Sequence, residues 1–221
     1  MNIKSLALTL GLGWLTVSAQ ADLTVVQEAY YGDLPQRVTV KIKGNKMRVD
    51  GVPMGYMIMD ATSGDTFVVL AQQKSYLKVG NAPLAEAVEA KVGEDAASAQ
   101  FKPTGETARV DDYDTEIYTT ETDRVKAKYW VAKNYPDYAT IRDDYHKMTN
   151  GFMANFLKSK MPATDNLPGM PVKTEVSISE PAPVVIYTKL LSVSRDPLGD
   201  DIFVIPGDYR LLEMPVQQLM Q

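Results

Sequence analysis

The chain has 221 residues, with 23 Lys and Arg against 28 Asp and Glu, a formal charge of −5, one His and no Cys. The acidic balance argues against nucleic acid and anionic membrane surfaces as partners, because both are bound through basic patches. Without Cys there is no disulfide, thiol nucleophile, iron–sulfur cluster or Cys-based zinc site, so the fold rests on its own core.

The N-terminus reads as a secretory signal peptide. Lys4 gives the positive start, Ser5–Val17 is an apolar run rich in Leu, Ala and Gly, and Ala19-Gln20-Ala21 supplies the small-residue cleavage pattern. Cleavage after Ala21 leaves Asp22 as the new terminus. A buried N-terminal helix is the alternative, but it does not account for charge, apolar run and cleavage site in that order. The run is shorter than the roughly 20 apolar residues a spanning helix needs, and no later stretch reaches that length. The mature chain, Asp22–Gln221, suits one β-rich domain. The expected location is the periplasm.

From Leu23 the pattern is that of strands. Val38, Val40 and Ile42 alternate with Arg37, Thr39, Lys41 and Lys43, the period of a strand with one wet face. Gly44-Asn45 predicts a two-residue hairpin turn, and Met47 and Val49 continue the alternation. Strands are predicted at Tyr56–Ala61, Thr66–Ala71 and Ser75–Val79. Leu84, Ala87, Val88 and Lys91 follow helical spacing. Strands resume at Tyr113–Thr120 and Val125–Ala132. In the latter, Val125, Ala127, Tyr129 and Val131 share one face, and Lys126, Lys128 and Trp130 the other. A helix is predicted over Tyr138–Lys158, with an apolar stripe of Tyr138, Ile141, Tyr145, Met148, Phe152 and Phe156. Leu167–Pro171 reads as a rigid connector, and the last strands as Val172–Ser179, Val184–Ser194 and Asp201–Ile205. Sequential strands broken by two helical stretches indicate an α+β fold: an antiparallel, open half-barrel with helices over its concave face.

No pattern of catalysis emerges. His146 stands alone, off the apolar stripe of its helix, where a triad needs a nucleophile and a metal site generally a second His. The acidic clusters Asp111-Asp112-Tyr113-Asp114 and Asp200-Asp201 lack the Asp-x-Asp-x-Asp-Gly loop that calcium uses, and read as loop flanks. Met54, Met57 and Met59 have thioethers that suit Cu(I), but Met57 and Met59 also share a strand face, where core or a pliable apolar surface explains them. No metal, cofactor or catalytic residue is assigned. Trp130, Met57, Phe152 and Phe156 are the candidate lining residues of an apolar cavity; ordinary core is the competing reading.

Several motifs carry a resemblance. Ile42–Asp50, Met57–Asp60, Lys74–Lys78, Tyr129–Ala132, Leu167–Pro171 and Phe203–Tyr209 resemble a family of bacterial envelope proteins without an assigned activity. That family is itself similar in layout to the lipoprotein carriers LolA and LolB. The resemblance implies an open antiparallel half-barrel whose apolar face holds acyl chains. The carriers use an Arg near the end of an early strand; the nearest position here is Lys43, so lipoprotein handling is not carried over. The resulting expectation is a periplasmic binding protein, not an enzyme, sheltering a lipid or other apolar ligand. The alternative is an envelope interaction module with a self-filled barrel and a protein partner.

Overall fold

Residues with strand-like alternation form one 12-stranded sheet in the computed structural model, which describes residues 22–31, 34–52, 55–79, 100–123, 125–148, 164–179 and 184–212. In chain order the strands are β1 (Leu23–Tyr31), β2 (Leu34–Lys43), β3 (Lys46–Val52), β4 (Gly55–Asp60), β5 (Asp65–Leu70) and β6 (Ser75–Val79). They continue with β7 (Lys102–Val110), β8 (Tyr113–Glu121), β9 (Val125–Ala132), β10 (Met170–Ile178), β11 (Val184–Ser194) and β12 (Arg210–Leu211). The one α-helix among the described residues, α1, covers Tyr138–Lys147. The sheet order is β12-β6-β5-β4-β3-β2-β1-β11-β10-β9-β8-β7, open at both ends. Every pairing is antiparallel except β12 on β6.

The order explains how hairpins become one sheet. β1 to β6 form a meander, and β7 to β11 form a second meander. β11 returns to pair with β1 over nearly its whole length, which joins the two runs. The predicted hairpins hold: Gly44 takes a positive φ of 56° in the turn that pairs Lys43 with Lys46. A bulge at Val26/Gln27 shifts the register within that junction, and another at Pro171/Lys173 shifts it between β10 and β9.

Two expectations need correction. Asp201–Ile205 is not a strand: Asp200–Phe203 is a short 3-10 turn that buries Phe203. β7 was not anticipated. Its residues are largely exposed, it pairs only with β8, and Pro103 and Gly105 (φ 80°) accompany a register shift between Pro103 and Thr107. An edge strand with no buried face has no reason to alternate, and Pro with a bulge discourages pairing with another chain. The expected signal peptide, the helix around Leu84–Lys91, and Phe152, Phe156 and Met54 lie outside the described residues. Among the described residues no helix is long and apolar enough to cross a membrane.

The main core cluster holds Leu23, Val25, Ile42, Met47, Met170, Val172 and Leu190 from the sheet, with Ile141 and Met148 from α1 and its end. Ile141, Asp144 and Met148 are buried at spacings of three and four, the stripe the sequence predicts with one acid added to it. A second cluster joins Tyr118, Val125, Ala127, Tyr129, Val131 and Val176 with Leu167. The alternation read in Val125–Ala132 is thereby realised.

Candidate apolar ligand-binding face

Strand register builds the face residue by residue. Leu23 pairs with Ile42, Ile42 with Met47, and Met47 with Met59, so four strands place apolar side chains in one row. The next row is Val25–Val40–Val49–Met57–Val68–Leu77, one apolar residue from each of six strands. Val25 is fully buried, but the other five keep partial access to solvent. A continuous row of half-buried aliphatic and thioether side chains is a surface on which a hydrocarbon chain can lie.

The opposite face is charged and structural. Lys41 pairs with Asp50 at 2.8 Å, and Arg48 Nε donates to the same carboxylate at 2.8 Å. The Arg48 guanidinium also stacks 3.7 Å from the Tyr56 ring centroid and donates to the Ile202 carbonyl at 2.9 Å. Lys43 donates to the Leu198 carbonyl at 2.6 Å and pairs with Asp200 at 2.8 Å, while the Leu198 N–H donates to Asp22 at 2.7 Å. The Asp200 carboxylate pushes the Lys43 ammonium up from its ordinary range. Lys74 pairs with Asp208 at 2.8 Å, and its carbonyl accepts the Arg210 N–H at 3.1 Å. Lys43, Arg48 and Lys74 therefore strap residues 198–210 across the outside of β2–β6. The motifs Ile42–Asp50, Lys74–Lys78 and Phe203–Tyr209 meet in this one arrangement, which accounts for them as packing signals.

Asp50 makes this arrangement pH-dependent. Burial alone would raise its pKa, but hydrogen bonds from Lys41 and Arg48 outweigh that and hold it below the ordinary 3.8. A depressed folded pKa contributes stability that is fully present above the ordinary value and lost as pH falls through the folded one. Urea midpoints measured from pH 6 downward will therefore converge between wild type and Asp50→Asn only below about pH 3.8. A constant gap across the whole range would assign the acid sensitivity to other groups.

The proposed lining residues fall in different places. Met57 sits in the centre of the half-buried apolar row. Trp130 lies on β9, with five strands between it and Met57 on β4. Register places it in the row Trp130–Lys173–Lys189–Glu28, and Lys173 and Lys128 approach its ring centroid at 4.3 and 5.2 Å. It also packs against the main core cluster beside the bulge at Pro171/Lys173. The described structure does not bring Met57 and Trp130 together. Cation–π contacts occupy the Trp130 ring with the protein's own lysines.

The acidic clusters have local roles. Asp111, at φ 49°, turns the β7–β8 hairpin and pairs with Lys189, while Asp114 pairs with Arg109. Among the described residues no group of three or more His, Cys, Asp or Glu is placed to hold a metal. His146 is exposed on α1. A polar depression of about 800 Å³ at the rim of β8–β10 is lined by Thr119, Thr120, Glu121, Lys126, Lys128 and Glu175, among others. It lies away from the apolar rows and matches polar chemistry.

Fold and site together define a protein built on one open antiparallel sheet, apolar on one face and strapped on the other. The profile of a Domain of unknown function (DUF4412) matches residues 13–209, and the chain belongs to that family. No curated protein matches. Among solved structures, PNGF-II in a P21 crystal form is similar at 10% identity and a TM-score of 0.44, over 90% of this chain and 33% of that one. The chain thus spans about a third of that protein. A LolA superfamily protein, NE2245 from Nitrosomonas europaea, is similar at 13% identity and a TM-score of 0.30, over 83% of this chain and 89% of that one.

Proposed function

We propose that the protein is exported to the periplasm and there acts as a binding protein, not an enzyme, that shelters a lipid or other apolar ligand. In this reading the sheet curves into a half-barrel, helical segments lie over its concave face, and Phe152 and Phe156 help to close the ligand in. The observation that carries it is the row Val40–Val49–Met57–Val68–Leu77, whose side chains share the core face and are not fully covered. Burying a chain against such a row contributes about 0.8 kcal/mol per CH₂, so a long acyl group needs only a modest groove.

Native mass spectrometry of protein purified from periplasm without detergent tests this directly. The expected result is an adduct of lipid mass that disappears on organic extraction. A bare protein mass under the gentlest conditions would count against a ligand carrier.

The second reading is an envelope interaction module whose barrel is filled by its own side chains. One observation favours it: Ile141 and Met148 pack against Leu23, Val25, Ile42 and Met47, so the chain already occupies that end of the face. The bare protein mass together with a stoichiometric protein partner would support this alternative.

A further inference from the structure

The polar depression at the rim of β8–β10 has a charge pattern of its own. Its volume is about 800 Å³, and among the described residues that line it Ala127 alone is apolar. Lys102 pairs with Thr119, Thr119 with Lys128, and Lys128 with Glu175, so one row crosses four strands from β7 to β10. The adjoining row on that face is Glu121–Lys126–Ser177. Lys102, Lys126 and Lys128 are balanced by Glu121, Asp123 and Glu175. An acyl chain finds no apolar wall here. A simple anion meets the three acids, and a simple cation meets the three lysines. A ligand that carries both charges, well separated, matches the lining.

Two groups of the first row are left over. Glu121 holds Lys126 at 2.7 Å. Register sets Lys128 directly beside Glu175, yet its ammonium lies 3.8 Å from Glu106 and 5.2 Å from the Trp130 ring centroid. Glu175 is half-buried and makes no ion pair among the described residues; the exposed Lys102 makes none either. A carboxylate partly withdrawn from water gains more from an incoming cation than a fully solvated one does. The strands that carry Lys102 and Glu175 are three spacings apart, about 14 Å. An extended peptide advances about 3.3–3.6 Å per residue, so roughly four residues cover that width with an amine at one end and a carboxylate at the other. The hydroxyls of Thr119 and Ser177 can donate to and accept from its backbone.

We propose that this depression binds a short extended peptide of about four residues with free termini, laid across the strands with its ammonium at Glu175 and its carboxylate at Lys102. The site shares no side chain with the row Val40–Val49–Met57–Val68–Leu77. It is a second binding activity and does not depend on the apolar-ligand reading.

Titration calorimetry of the purified protein at neutral pH and low salt tests this. The ligands are the tetrapeptide Gly-Ser-Ser-Gly, its N-acetylated and C-amidated forms, and the neutral sugar maltotetraose. The free peptide should bind saturably, and blocking either terminus should weaken it about fivefold, the upper end for a partly exposed ion pair. Glu175→Gln should erase the preference for the free amine and keep the preference for the free carboxylate. Lys102→Gln should do the reverse. Neither residue is part of the buried core, and the blocked peptides probe the same two contacts on the unaltered protein. Absence of saturable binding, equal affinity for free and blocked peptides, or variants that keep both preferences would overturn the assignment. Maltotetraose binding as tightly as the peptide would also overturn it and assign the depression to a neutral polyol. The lipid-adduct measurement is independent of each of these outcomes, so either reading can fail without the other.

Discussion

Replacing Asp144 by alanine will destabilise the protein by about 3 kcal/mol or more. The Asp144 side chain is only 5% exposed on α1 and accepts hydrogen bonds from Arg195, just beyond β11, and from Lys147 one turn along the helix. This pairing ties α1 to the sheet across 51 residues of chain. Alanine removes the acceptor and leaves the Arg195 guanidinium, 24% exposed, without this carboxylate. For a domain of this size that loss lowers the thermal midpoint by about 6–12 °C. Asp144→Asn keeps an acceptor oxygen without the charge, and should recover part of the difference. A urea titration in which Asp144→Ala unfolds within 0.5 kcal/mol of wild type, a threshold of about the size of an ordinary surface substitution, would show that the pair is dispensable.

Gly55→Ala will cost about 3 kcal/mol for a different reason. A Cβ on Gly55 would stand 1.8 Å from the Val69 carbonyl oxygen and 2.9 Å from its carbonyl carbon, both backbone atoms of the neighbouring strand. No side-chain rotation relieves such contact, so β4 and β5 must move apart where Tyr56 pairs with Val69. Gly44→Ala is the matching control. Gly44 has a φ of 56° but open space around it, so its cost is only the left-handed strain of about 1–2 kcal/mol. Equal destabilisation of the two variants would refute the steric account. Because β4 carries Met57 into the apolar row, the proposed carrier role predicts that Gly55→Ala also weakens binding of an apolar ligand, whereas Gly44→Ala does not.

The same contrast between local and distant causes decides what could be read from the chain alone. The meander β2–β6 was legible because each strand has one buried face, which forces alternation, and because Gly44-Asn45 permits the turn that fixes register. The stripe Tyr138–Ile141–Tyr145–Met148 was legible for the helical equivalent of that reason. β7 and the 3-10 turn at Asp200–Phe203 were not: an exposed edge strand has no face to pattern, and the turn is held by Lys43 and Arg48, some 150 residues earlier.

Of the candidate site, the sequence placed Met57 on an apolar strand face and Tyr129 opposite the lysines of β9. What it could not supply was sheet order. Only the return of β11 onto β1 joins the two meanders, and that pairing puts Gln36, Thr174 and Tyr129 in one row while leaving five strands between Trp130 and Met57. Alternation is a property of neighbours in the chain and survives in sequence. Register between strands far apart in the chain is set by packing and bulges, and it exists only in the folded sheet.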